Sequence, residues 1–166
     1  MLLAIDVQYT QSTAFVAGVV FNQWSSATIE SEHVSVVENV EDYVPGSFYK
    51  RELPCILTLL QEHQLHPNTI IIDGYVYLNG TDKPGLGKHL YDALQQQVEI
   101  IGVAKKPFAG IPASFALLRG SSEKPLYITA SGSSAKAKQC ISKMTGENRI
   151  PTILKRADQL CRAAAK

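Results

Sequence analysis

Cysteine is scarce in this chain. Cys55, Cys140 and Cys161 are odd in number and lack CxxC spacing, which argues against a disulfide framework or a cysteine-built zinc site and leaves buried free thiols as the expectation. Long apolar runs are missing as well. The start, MLLAID, reaches an acid at position 6 without the stretch a signal peptide requires, and no later run approaches membrane-spanning length. A soluble, cytoplasmic protein with no membrane partner is expected. Neither sign of charge dominates, with Lys+Arg 16 against Asp+Glu 15, so no net field draws the whole molecule onto nucleic acid and any basic surface must be local. Internal repeats, low-complexity tracts and long linkers are also lacking. What is present is hydrophobic content of 45% over 166 residues, sufficient for one sizeable core, so residues 1–166 are expected to form a single domain.

The order of elements follows from periodicity. Residues 2–9 and 13–21 read as two short apolar strands joined by a polar turn, and 27–37 as a third, less cleanly alternating one. A polar stretch ends in the loop signal Tyr43-Val44-Pro45-Gly46, after which RELPCILTLLQEH carries apolar residues at helical spacing, with Pro54 opening or kinking the helix. TIIIDG is a β-branched run of the kind buried on both faces of a sheet. GLGKHLYDALQQQ reads as a helix, VEIIGVAK as a strand, PLYITA as a weaker strand, SSAKAKQCISKM as a helix and 153–165 as a final helix. Three strands followed by alternating helices and strands predict an α/β fold, a mixed sheet flanked by helices with its later strands parallel.

Asp6 closes the run LLAI and Asp73 closes TIII. Each carboxylate is therefore expected at the carboxyl end of a central strand, the edge where open α/β sheets bind ligands. Taken alone, an acid following a strand is more often a helix cap or turn residue. On neighbouring parallel strands the pair would share a rim and suit a hard divalent cation, magnesium or manganese. Glu52, in the first turns of its helix, is a third candidate. Asp158 is a fourth, sharing a face with Leu154 and Cys161. The alternative for Asp158 is a surface ion pair with Lys155 or Arg156.

Four blocks, in order, carry a wider likeness: Asp6-Val7 after the first strand; the run from Tyr43-Val44-Pro45-Gly46 through Phe48 to Arg51-Glu52; Ile71-Ile72-Asp73-Gly74 with Gly85-Leu86-Gly87-Lys88-His89 downstream; and Ile101-Gly102-Val103-Ala104-Lys105. On these residues the sequence resembles endonuclease V, an inosine-directed nuclease family with an RNase H-like, three-layer α/β fold that has helices on both faces of a mixed β-sheet. The second block is the most specific, and the final helix extends the match to Asp158. The resemblance implies a hydrolase that cuts DNA, or RNA, near inosine, as in DNA repair; a monomer is expected. It implies that Asp6, Glu52 and Asp73, joined by Asp158, bind Mg2+ or Mn2+, and that Lys105 is the active-site lysine. It further implies that Tyr43, Val44, Pro45 and Gly46 form a wedge filling the space left by a flipped base, and that Phe48, Gly74, Gly85 and Leu86 line the pocket for that base.

The sequence also departs from the family pattern. After Asp73-Gly74 it reads YVYLNGTDKPG and lacks the usual His-Pro-Arg element, with Lys83 the available substitute; weaker base selectivity or affinity is expected from that loop. Where the family commonly has histidine on the last helix, Asp158 stands. Arg51, Lys83, Lys88, Lys105 and Lys106 are candidates for a basic patch on the active rim. Two other functions are compatible with these residues: a non-catalytic nucleic-acid-binding module, and another RNase H-like nuclease that reads branched structure instead of a base. Tyr43 separates the nucleases. Tyr43→Ala should depress incision of inosine-containing strands if the residue is a wedge, measured against an unmodified branched substrate on which a structure-directed enzyme would be unaffected.

Overall fold

The computed structural model describes every residue except Tyr43, Gly46 and Phe48. The expected wedge residues Tyr43 and Gly46 and the expected pocket residue Phe48 thus lie outside the described residues. Among the described residues seven strands form one sheet: β1 (Leu2–Thr10), β2 (Thr13–Phe21), β3 (Ser31–Val37), β4 (Thr69–Asp73), β5 (Glu99–Ala104), β6 (Ala116–Leu117) and β7 (Leu126–Ala130). Their spatial order is β3-β2-β1-β4-β5-β7-β6. Among the described residues four α-helices complete the fold: α1 (Tyr49–Glu62), α2 (Leu86–Ala93), α3 (Ser134–Ser142) and α4 (Thr152–Ala164). No helix among the described residues is long and apolar enough to cross a membrane.

The pleat divides the core into two layers. Leu3, Ile5, Ile70, Ile72 and Ile100 face one way and pack with Cys55, Ile56 and Leu59 of α1 and Leu90 of α2. Leu2, Ala4, Ile71, Ile101 and Val103 face the other way and pack with Ala137 and Ile141 of α3 and Ile153 and Ala157 of α4. Successive isoleucines of β4 therefore serve opposite layers, which is why its sequence is apolar without a break. Helices lie on both faces, as expected for the α/β class.

Two sequence expectations need adjustment. Pro54 lies inside α1 and does not open it. Its side of the helix is exposed, so the carbonyl deprived of an N–H partner by the imino ring can turn to water. The later strands are not all parallel. β4 is parallel to β1, and β5 to β4, but β7 runs antiparallel to β5, with Ala104 opposite Tyr127. No crossover helix separates β5 from β7; residues 105–125 hold only a single 3-10 turn, Ala113–Phe115, and the two-residue β6. The chain leaves β5 and re-enters the sheet at the same end, and a strand entering that way must be antiparallel.

β4 and β5 are joined through a close approach at Gly102. After Asp73 the backbone turns at Gly74, φ +144°, and crosses β5. Gly74 N–H donates to the Val103 carbonyl (3.1 Å) and Val76 N–H to Thr129 Oγ1 (2.8 Å). A Cβ on Gly102 would stand 2.5 Å from the Gly74 carbonyl oxygen and 2.9 Å from Thr129 Oγ1. Backbone can yield there only by moving the turn that follows Asp73. Gly102→Ala should cost about 1–3 kcal/mol of stability, as overpacking of a tight site does, and denaturant unfolding checks it.

Candidate functional site

The register places the two strand-end acids side by side. Ile5 pairs with Ile72, so Asp6 and Asp73 are the next step along the same two parallel strands. By alternation each continues the face of Ala4 and Ile71, the face covered by α4. From α4, Asp158 and Cys161 meet Asp6: one ligand atom from each of the three lies within 4.8 Å of the others. Glu52 approaches from α1 on the opposite layer, only 7% exposed, and its carboxylate feels the charges of both Asp73 and Asp6.

Crowding acids away from water has an electrostatic cost, which shifts their proton affinities. Burial first, then the charge of Asp73, pushes the Asp6 carboxyl up to about 7, against the opposing pull of the Val7 N–H and Lys105. That N–H donates to Asp6 Oδ1 at 2.9 Å. Burial, followed by repulsion from Asp73 and Asp6, pushes Glu52 up to about 8 despite Arg51. Asp158 behaves differently. Burial raises it, but a hydrogen bond and ion pair with Arg162, helped by Lys105 and Lys155, outweigh burial and hold it below the usual carboxylate range.

Beside the acids lies a cleft of about 290 Å³ lined by Asp6, Asp73, Lys105, Arg149, Asp158 and Arg162, among others. Lys105 Nζ stands 3.4 Å from Asp73 Oδ2. Asp158 pairs with Arg162 (2.8 Å) and Lys155 (3.9 Å), whereas Arg156 turns to Glu32. The ion-pair reading of Asp158 and the inward-facing reading therefore both hold: the same carboxylate is paired and borders the cleft. Among the described residues the group whose ligand atoms all lie within 4.8 Å of one another is Asp6, Asp158 and Cys161, without Asp73 or Glu52; its two carboxylates suit a hard divalent cation, which would relieve the repulsion that raises Asp6 and Glu52.

The remaining expected residues are distributed around this centre. Val44 and Pro45 are exposed. Gly74 has open space where a side chain would be, while a Cβ on Gly85 would meet the Tyr75 carbonyl oxygen at 2.7 Å. Gly85 and Gly87 N–H groups bond the Val76 and Tyr75 carbonyls, each at 2.9 Å. Leu86, expected to line the base pocket, has its side chain buried in the core. The basic candidates have separate partners: Lys105 reaches the cleft and Asp73, Arg51 covers the Tyr9 ring, Lys83 lies over Phe108 and Lys88 pairs with Asp92. The divergent loop after Tyr75 is a tight hairpin in which Asn79 Oδ1 accepts the N–H groups of Thr81, Asp82 and Lys83. Arg149 and Arg162 escaped the sequence reading because neither lies in a motif; the i, i+4 spacing of Arg162 from Asp158 was the available signal.

Residues 1–120 match the family model described as Endonuclease V. The chain belongs to the endonuclease V family. An Endonuclease V from Streptomyces avermitilis is 31% identical over 98% of this chain and 79% of that protein, and one from Nostoc punctiforme is 31% identical over 73% and 63%. The crystal structure of the Streptomyces avermitilis endonuclease V superposes with a TM-score of 0.79 at 29% identity, covering 99% of this chain and 80% of that one. The Ciona intestinalis endonuclease V, crystallised with a 24mer DNA containing an inosine followed by a ribo-adenosine, shares the fold at TM-score 0.79 and 21% identity, covering 99% of this chain and 84% of that one. The acid cluster of this endonuclease V relative thus lies on a fold the family shares.

The raised carboxyls make stability depend on pH in a definite sense. Unfolded, Asp6 and Glu52 ionise near 4; folded, they hold their protons to about 7 and about 8. Their contribution is fully present below about pH 4 and is lost as pH rises through those folded values. In chelator, the melting temperature should fall from about pH 5 to pH 8 more steeply than in Asp6→Asn, and added Mg2+ should restore more at the upper end. Identical pH slopes for the two proteins would show that the cluster is not short of positive charge.

Proposed function

We propose that this endonuclease V family member is a Mg2+- or Mn2+-dependent endonuclease that hydrolyses a phosphodiester near inosine in DNA or RNA. In this reading residues 1–166 work as one unit, a cytoplasmic monomer. The observation that carries it is the approach of Asp158 to Asp6 within 4.8 Å, with Asp73 on the neighbouring parallel strand, Glu52 near enough to feel the charges of Asp6 and Asp73, and Lys105 3.4 Å from Asp73. The inosine-containing DNA held by the Ciona intestinalis relative supplies the substrate class.

Asp6, Glu52 and Asp73 would hold the cation, with Asp158 completing the set from α4. A divalent ion so held supplies Lewis acidity, lowering the pKa of an attacking water and stabilising the leaving oxygen. The protein's own part is positioning and charge. Lys105 presents an ammonium at the mouth of the cleft, 3.4 Å from Asp73, where it can offset negative charge developing on the phosphate. Arg162 holds Asp158 by its hydrogen bond to Oδ1, fixing which oxygen remains for other partners. Val44 and Pro45, with Tyr43 and Gly46, would fill the gap left by an extruded base. Gly74, Gly85 and Leu86, with Phe48, would border its pocket; the Gly85 and Gly87 N–H groups and the Val76 and Tyr75 carbonyls are already bonded to one another, which fixes the wall they form.

The test is incision of matched strands with and without inosine, as DNA and as RNA, in Mg2+ or chelator. Cation-dependent cutting of the inosine strand is expected, with Asp6→Ala and Asp73→Ala each reducing it by at least about a hundredfold. Incision that survives both substitutions overturns the metal assignment, and equal cutting of both strands overturns the inosine assignment.

A further inference from the structure

The backbone of Lys105 is held by a guanidinium that no part of the proposed chemistry uses. Arg149, on the segment between α3 and α4, donates through Nη2 to the Lys105 carbonyl and to the Pro125 carbonyl (2.8 Å), and through Nε to the Lys124 carbonyl (3.1 Å). One planar group therefore ties the end of β5 to the chain entering β7. The next carbonyl, that of Lys106, accepts the Tyr75 hydroxyl at 2.6 Å, and the same hydroxyl oxygen accepts the Phe108 N–H at 3.0 Å. Residues 105–108 are thus pinned from both sides.

Arg149 is itself fixed from behind. Arg119, 6% exposed, threads into the segment that carries it and donates to the carbonyls of Asn148 (2.7 Å), Met144 (2.7 Å) and Gly146 (3.2 Å). A buried guanidinium committed to main-chain carbonyls makes this irregular segment a rigid mount, since breaking the set would strand a charge away from water.

We propose that Arg149 is a positioning residue for Lys105, setting the backbone from which the ammonium reaches Asp73, with Arg119 holding Arg149 in place. This rests on the reading of Lys105 given above. The fork geometry matters: three carbonyls from two segments are met by one rigid planar donor, which a lysine's single ammonium cannot reproduce. Displacement of an active group by about 1 Å costs on the order of a hundredfold in rate, so loss of the grip should appear in turnover and not in substrate capture.

Incision kinetics for Arg149→Met, Arg149→Lys, Lys105→Met and the double variant Lys105→Met/Arg149→Met decide the matter, with thermal melts to confirm that each protein is folded. Expected for Arg149→Met is a fall in kcat of about ten- to a hundredfold with KM within about twofold. Arg149→Lys, which retains the charge, should show the same fall. In the Lys105→Met background, Arg149→Met should cost nothing further, because the group it positions is gone. Multiplying losses in the double variant, or a loss confined to KM, would mean a direct contact with the phosphate backbone and overturn the proposal. Wild-type kcat in Arg149→Lys would overturn it too, even if Arg149→Met fails to fold. Full activity of Lys105→Met is a different failure, that of the Lys105 reading itself.

Discussion

Repulsion among carboxylates is the constraint around which this molecule is arranged. Parallel pairing of β1 with β4 sets Asp6 beside Asp73, and Glu52 is buried within reach of both charges. Such a cluster opposes folding at neutral pH, and it persists only because the elements carrying it are anchored elsewhere. The anchors are apolar: Ile5 and Ile72 in one layer, Ala4 and Ile71 in the other. Asp6 and Asp73 each lie one residue beyond a strand segment that is buried on both faces, so the strain they bring is borne by a well-packed part of the sheet.

Cations then act at two distances. Lys105 meets Asp73 directly, and Arg162 and Lys155 meet Asp158. Farther back, Arg119 and Arg149 spend their donors on main-chain carbonyls, and Arg149 holds the backbone of Lys105. The cleft thereby combines a shortage of positive charge at its acids with a surplus on its walls, an arrangement suited to holding a dication and a phosphodiester together.

Much of this was legible in the sequence because the strands announce themselves. TIII could be read as a doubly buried strand, and the position of Asp73 at its end followed; Asp6 after LLAI followed the same way. The helix faces carried Asp158 and Cys161 inward together, and both are found near Asp6. The direction of β7 was not legible, because a weak strand signal does not reveal whether the connection before it returns to the same end of the sheet. Arg119 and Arg149 were opaque for another reason. Their partners are backbone carbonyls far away in sequence, and every residue has one, so no pattern of side chains marks the contact. The alternation that puts Asp6 and Asp73 on the α4 layer was available in principle but needed the pairing register, which emerges only when Ile5 is found opposite Ile72.

The sheet's two margins are unequal, and this has a bearing on how the protein behaves when crowded. On one side the outermost strand, β6, is two residues long, too short a ledge for a strand of another molecule to pair along. On the other side β3 carries Glu32, which Arg156 of α4 draws across the sheet's rim. Charge on an outer strand and brevity of its counterpart are two ways in which proteins discourage intermolecular β-ladders. A fold that keeps its central strands nearly free of polar residues would otherwise present a template for aggregation, and here the template is closed at both ends.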